Sequence, residues 1–360
     1  MRVSTKTGLT IALTILLLMI TAACSSEESS SESANSSDEA EETVDEKLRS
    51  NQEDPYIGFA IDTLREERWY RDKEAFEGAV EEQGGQVKTL AANGNQDVQI
   101  QQAQLLINEG VDVLVVVPTD ASGAGEVVKL AHEAGVKVIS YDRLITDADV
   151  DYYLSFDNEK VGELQAEEIL NNVDEGEFAY VGGAESDNNS ILFRQGAMNV
   201  LEPHIESGAI DLVYDNYTTG WDPEVARDEL SSFINSNDVD LDAVVAANDG
   251  TAGGAIEALG DQAGDVEVSG QDAELEGVRR VVEGTQTMTV YKSMNLIANR
   301  AAELAMDVAT GEDISTETTI DNGQGDIPTT LLEPIAVTED NIEETIIEEG
   351  HLTEEEIYGD

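Results

Sequence analysis

The segment VDVLVVVPTDASGAGEVVKLAHEAGVKVISYDR, residues 111–143, decides the fold. Two apolar, Val-rich runs, 111–117 and 136–141, flank a stretch with helical periodicity over 121–134. Unbroken apolar strands belong to sheets covered on both faces, and parallel neighbours need a helical crossover between them. The unit ends in Asp142-Arg143, two charged residues placed directly after a strand.

The same alternation continues in both directions. Upstream lie strand candidates at 56–61 and 87–92 and helical stretches at 69–83 and 97–109. Downstream, strands at 151–156, 177–183, 210–216, 242–248, 265–270 and 287–291 alternate with helices at 159–173, 190–206, 223–236, 251–259, 274–283 and 295–309. So many units exceed one comfortable sheet. They predict an α/β fold of two Rossmann-like, doubly wound lobes. The strand series restarts after Ser155-Phe-Asp-Asn158, and Lys292 stands at a strand end where the chain can cross back. The first lobe is therefore expected to hold 56–157 plus 292–320, and the second 158–291 plus 321–360.

In such sheets a ligand binds beyond the C-terminal ends of the strands. The residues there share a chemistry. After the first strand comes Asp62-Thr-Leu-Arg-Glu-Glu-Arg-Trp69, then Asp142-Arg143 after 136–141, and Glu185 to Asn189 after 177–183. Later strands are followed by Thr218-Thr-Gly-Trp221, Asn248-Asp249, Gln271-Asp272 and Lys292. Carboxylates, carboxamides and guanidiniums pair with vicinal hydroxyls, and indole faces cover the C–H faces of a sugar ring. Taken singly, these residues also fit helix caps, surface ion pairs or core aromatics. Their recurrence at seven strand ends, with the two tryptophans of the chain among them, points to a polyol site.

Ahead of the folded body, Arg2 and Lys6 precede an apolar run from Leu9 to Ile20 and the small residues Thr21-Ala-Ala23. This is a signal-peptide layout, too short for a comfortable membrane span. Cys24, the single cysteine, falls where a lipoprotein signal peptidase would leave it as a lipidated N-terminus, although Thr21 replaces the usual Leu. Residues 25–54 are nearly all Ser, Glu, Asp and Asn and predict a disordered acidic tether to the outer face of a membrane.

Composition narrows the rest. The formal net charge is −58, with 19 Lys and Arg against 77 Asp and Glu, so nucleic acid is excluded as a partner. The excess also suggests a salt-adapted organism, since the Debye length falls to about 3 Å at 1 M salt and self-repulsion shrinks with it. One cysteine and three dispersed histidines argue against a disulfide framework or a His/Cys metal site. Asp147, Asp149 and Asp151 suggest a calcium loop, but its sixth and twelfth places hold Tyr152 and Asn158. The glycines of Thr251-Ala-Gly-Gly-Ala255 lack the Lys of a phosphate loop and fit close helix–sheet packing. Neither a cofactor nor a metal is expected, and nothing activates a nucleophile.

IGFAIDTLREERWYRDKEAF, VISYDRLITDADVDYYLSFDNEKVGELQA, DAVVAANDGTAGGAIEAL, VSGQDAELEGVRR and GTQTMTVYK resemble the ribose/galactose-type periplasmic binding proteins, from about Tyr56 to Ile342. The resemblance implies two lobes joined by a three-stranded hinge, closing on a sugar that is then delivered to an ABC permease. It implies a neutral monosaccharide, with D-xylose ahead of other pentoses, bound by a monomer. It carries ligand-binding roles onto Arg68, Trp69, Asp142, Arg143, Asp187, Asn189, Trp221, Asn248, Asp272 and Lys292, with Arg194 as a neighbour orienting them. A receptor reporting sugar occupancy to a membrane sensor kinase or chemoreceptor would share this pocket. A LacI-type regulator would need a basic DNA-binding head in place of the signal peptide and acidic tether.

Overall fold

The computed structural model describes residues 54–359 apart from Glu317. The expected signal peptide, Cys24 and the tether up to residue 53 lie outside the described residues. Among the described residues no helix is long and apolar enough to cross a membrane.

The chain starts with β1 (Tyr56–Ile61), α1 (Glu67–Glu82), β2 (Gln86–Ala91), α2 (Gln96–Glu109), β3 (Val113–Val116), α3 (Gly125–Glu133), β4 (Lys137–Tyr141) and β5 (Tyr152–Phe156). All six residues of β1 are buried, as a strand covered on both faces requires. β1 runs parallel to β2 and β3, and β3, β4 and β5 continue the parallel series. Apolar clusters fill both faces. One joins β3 to α2 and α3; the other joins Phe59, Phe76 and Tyr141 to the alanine face of a later helix.

The chain then leaves this sheet. It forms α4 (Asn158–Asn172), β6 (Gly176–Gly182), α5 (Asn188–Ser207), β7 (Ile210–Tyr217), α6 (Pro223–Asn237), β8 (Ala243–Ala246), α7 (Asp249–Leu259), β9 (Glu267–Val268), α8 (Leu275–Glu283) and β10 (Thr289–Tyr291). The second sheet has the order β7-β6-β8-β9, all parallel. Asp272 N to Val290 O at 2.8 Å and Val290 N to Gly270 O at 3.1 Å tie β10 to its edge. Helices α4 and α5 meet through glycines: a Cβ on Gly162 would lie 1.9 Å from Phe193 O, and one on Gly196 1.9 Å from Glu159 O. Gly254 of the Thr251–Ala255 run likewise approaches Pro223 O of α6, so its close contact is helix to helix rather than helix to sheet.

After β10 the chain crosses back as α9 (Met294–Thr310), whose Ile297, Ala298, Ala301, Ala302 and Ala305 cover the first sheet. It continues into β11 (Thr318–Asp321) and β12 (Asp326–Leu332), then crosses again to β13 (Ile335–Val337), which pairs with β10, and ends in α10 (Glu354–Tyr358). Three crossings thus link the bodies, at Phe156–Asn158, Tyr291–Met294 and Leu332–Ile335.

The expected lobe boundary after residue 320 is corrected here. β12 pairs parallel with β5, from Thr329↔Tyr153 to Leu332↔Phe156, and β11 pairs antiparallel with β12. Both strands complete the first sheet, so the last crossing falls at Glu333-Pro334. Pro328 demotes this run as a strand on sequence grounds. It is tolerated because pairing with β5 begins only at Thr329.

Candidate functional site

A small cavity lies where the C-terminal strand ends of both sheets face each other. All ten residues predicted to bind ligand line it, together with Glu66, Phe193 and Gln271.

The first body supplies the two guanidiniums. Arg68, in the first turn of α1, is 3 % exposed and reaches three carboxylates. Its Nη2 donates to Asp142 Oδ2 at 2.9 Å, its Nη1 to Asp272 Oδ1 at 3.0 Å and its Nε to Asp72 Oδ2 at 3.3 Å. Asp72 also accepts from the Tyr141 hydroxyl. Arg143, just after β4, donates through Nη1 to Asp62 Oδ2 at 2.7 Å, and its Nε lies 2.8 Å from Asp187 Oδ2. Both guanidiniums lie over the Trp69 ring, at 4.3 and 5.1 Å from its centroid, a cation–π arrangement that fixes the indole.

The second body supplies carboxylates, carboxamides and the other indole. Asp187 caps α5 by accepting from Asn189 N at 2.9 Å, and its Oδ2 accepts from Trp221 Nε1 at 3.2 Å. Trp221 follows β7 in a short 3-10 turn and rests on Gly183, where a Cβ would lie 2.0 Å from the indole. Asn189 Nδ2 donates to both the carbonyl and Oδ1 of Asp142, each at 3.1 Å. Asn248 Oδ1 is used in a capping box with Thr251, which fixes the side chain at the cavity wall. Lys292, 1 % exposed at the end of β10, has its Nζ 3.5 Å from Asp142 Oδ2 and 3.8 Å from Asp272 Oδ1.

Three lining residues have left-handed backbones: Asp142 (φ 60°), Trp221 (φ 58°) and Asp272 (φ 93°). Such conformations cost free energy for non-glycine residues and collect at binding sites, where the surroundings hold them. Here the cross-body pairs Arg68–Asp272 and Arg143–Asp187 are among what holds them.

Protonation follows from these contacts. Burial works to raise Asp142, but Arg68, Lys292 and Arg143 overcome it and hold the carboxyl down at about 2. Burial dominates at Asp187, which is raised despite Arg143, and at Asp72, which is raised to about 6 despite Arg68 and Tyr141. Burial, then Arg68, lowers Lys292. Glu66 and the three lining aspartates outnumber the three cations, so the wall disfavours an anionic ligand.

Arg194 departs from expectation. It pairs with Asp215 on the outer side of α5 and does not line the cavity; Phe193, its neighbour, does. Phe193 lies one helical turn after Asn189, which puts it on the same face of α5. Glu66 and Gln271 each adjoin or nearly adjoin a predicted residue in the strand-end loops. Two of their buried oxygens, Glu66 Oε2 and Gln271 Oε1, have no hydrogen-bond partner among the described residues. Among those residues no group of three or more His, Cys, Asp or Glu could hold a metal ion. Of the Asp147–Asp151 run, Asp151 instead bonds His132, Lys137 and Val138 N.

A family model described as a periplasmic binding protein domain matches residues 57–313. The chain is 48 % identical over 303 residues to the D-xylose-binding periplasmic protein of Escherichia coli, covering 84 % of this chain and 92 % of that protein. It is 45 % identical to the protein of the same name from Haemophilus influenzae, covering 86 % and 94 %. Among solved structures, an ABC transporter solute-binding protein from Clostridium phytofermentans with bound β-D-glucose superposes with a TM-score of 0.78 at 30 % identity, covering 84 % of this chain and 99 % of that one. With its two α/β bodies, three crossings and a cavity between facing strand ends, the chain belongs to the periplasmic binding protein family and has the type I fold of that family.

Proposed function

We propose that the chain is an extracytoplasmic receptor that binds a neutral monosaccharide, D-xylose before others, and delivers it to an ABC permease. The observation that carries this reading is the cavity wall itself. Charged and carboxamide groups from two bodies converge on one small cavity, with two buried oxygens, Glu66 Oε2 and Gln271 Oε1, lacking donors among the described residues. Sugar hydroxyls are donors and acceptors at once, and suit such a wall. The chain's similarity to two D-xylose-binding periplasmic proteins supports xylose as the ligand.

In this reading Trp69 and Trp221 cover the two faces of the ring. Arg68, Arg143, Lys292, Asn189 and Asn248 donate to its oxygens, and Asp142, Asp187 and Asp272 accept from its hydroxyls. The two bodies close on the sugar by bending at the three crossings. Binding is reversible and breaks no covalent bond. Cys24 carries the lipid that keeps the receptor at the membrane, and intact mass measurement of the native protein tests that point.

Trp69 and Trp221 are the only tryptophans of the chain, and both line the cavity. Titration with D-xylose should therefore produce a saturable change in intrinsic fluorescence. A flat signal with D-xylose and the other neutral pentoses and hexoses would refute the reading.

A further inference from the structure

Glu66 stands apart from the other carboxylates of the cavity wall. Asp142, Asp187 and Asp272 each meet a guanidinium within 3.0 Å, whereas among the described residues the ion pair of Glu66 is the long one to Arg65 Nη2, 3.9 Å from its Oε1. Arg65 is itself half exposed and donates to Gly220 O instead. Glu66 occupies the N-cap position of α1, yet its side chain makes no capping hydrogen bond. Its Oε2 is nonetheless buried, without a donor among the described residues. Neither helix capping nor an ion pair accounts for a carboxylate held there, and a buried acceptor without a donor is destabilising.

We propose that Glu66 is a specificity-determining residue of the sugar site, its Oε2 accepting a hydrogen bond from one hydroxyl of the monosaccharide. This rests on the cavity being a monosaccharide site. Glu66 shares the cavity wall with the Arg143–Asp187 pair, so the contact falls within that cavity. The site therefore selects for a sugar with a hydroxyl at that point, and a deoxy analogue lacking it strands the carboxylate.

The test is calorimetric titration of the wild type, Glu66→Leu and Glu66→Gln with D-xylose and its singly deoxygenated analogues, alongside thermal unfolding without sugar. Glu66→Leu should bind D-xylose roughly tenfold or more weakly, as expected for a lost bond to a charged group. Glu66→Gln, which keeps an acceptor, should fall between. One deoxy analogue should bind the wild type and Glu66→Leu about equally. Without sugar, Glu66→Leu should unfold at the wild-type temperature or above. Glu66→Leu binding D-xylose as tightly as the wild type overturns this proposal alone. Loss of affinity in step with loss of thermal stability in both variants overturns it in favour of a structural role. A wild type that binds no monosaccharide overturns it together with the proposed function.

Discussion

Inside the cavity Arg68 meets three carboxylates within 3.3 Å, and all four side chains are buried. On the outer surface Lys129 meets Glu126 at 3.2 Å, with both side chains largely in solvent. The two regions hold the same kinds of charge but under different physics. Buried charges cannot be left unpaired, so the cavity is nearly balanced and each cation has more than one acceptor. Surface charges are screened and contribute little as pairs, so the excess behind the net charge of −58 can accumulate there. Ligand recognition should therefore depend on single cavity residues and hardly on salt, whereas stability should depend on salt as well.

The largest effect should come from Arg68→Ala. It leaves Asp72, Asp142 and Asp272 without their shared cation, and breaking a buried pair costs ~3–5 kcal/mol. D-xylose affinity should fall more than ~100-fold, and denaturant unfolding should register the same loss. A variant within a few-fold of wild type would mean that the cavity network is not the binding frame.

Trp221→Ala comes next. Aromatic contacts contribute ~0.5–1.5 kcal/mol beyond area burial, so the affinity for D-xylose should fall about tenfold or more. Unchanged affinity by calorimetry would remove Trp221 from the ring face.

The pH profile should be moderate in size and asymmetric. Asp72 is raised to about 6 and Asp249 to about 7, both chiefly by burial. For each, the native state holds its proton more tightly than the unfolded chain. Their stabilising contribution is thus complete below about pH 4 and is lost as pH rises toward 6 and 7. Asp142, held at about 2, acts oppositely: its contribution is present above about pH 4 and is lost as pH falls through 2. Stability should peak in mildly acidic solution. Denaturant unfolding from pH 3 to 8 with a maximum near pH 8 would contradict these assignments.

Salt separates the two regions with the smallest change in binding. Raising salt from about 0.1 to 2 M should raise the unfolding temperature while D-xylose affinity shifts less than about threefold. Affinity that follows salt as steeply as stability would show that surface charge reaches the site.

The strand ends were legible because a parallel sheet puts its ligand chemistry directly after each strand. Asp142-Arg143, Trp221, Asn248, Asp272 and Lys292 all follow β-branched or apolar runs. Positions set by helix phase or irregular backbone were less visible. Phe193 faces the cavity and Arg194 faces out because of where α5 begins at Asn188. β11 and β12 went unrecognised because Thr318–Asp321 is polar and exposed and Pro328 interrupts the next run. The last crossing was misplaced for the same reason.

The most direct test of the receptor account is a calorimetric comparison of D-xylose, D-ribose, L-arabinose and D-glucose on the wild-type protein. The account predicts one site, with D-xylose tightest, the other pentoses well below it because an inverted hydroxyl strands a buried charged partner, and glucose weak because its extra hydroxymethyl group must find room in the cavity. Glucose or ribose binding more tightly than D-xylose would contradict the assignment of the sugar, and no heat with any of the four would contradict the account as a whole.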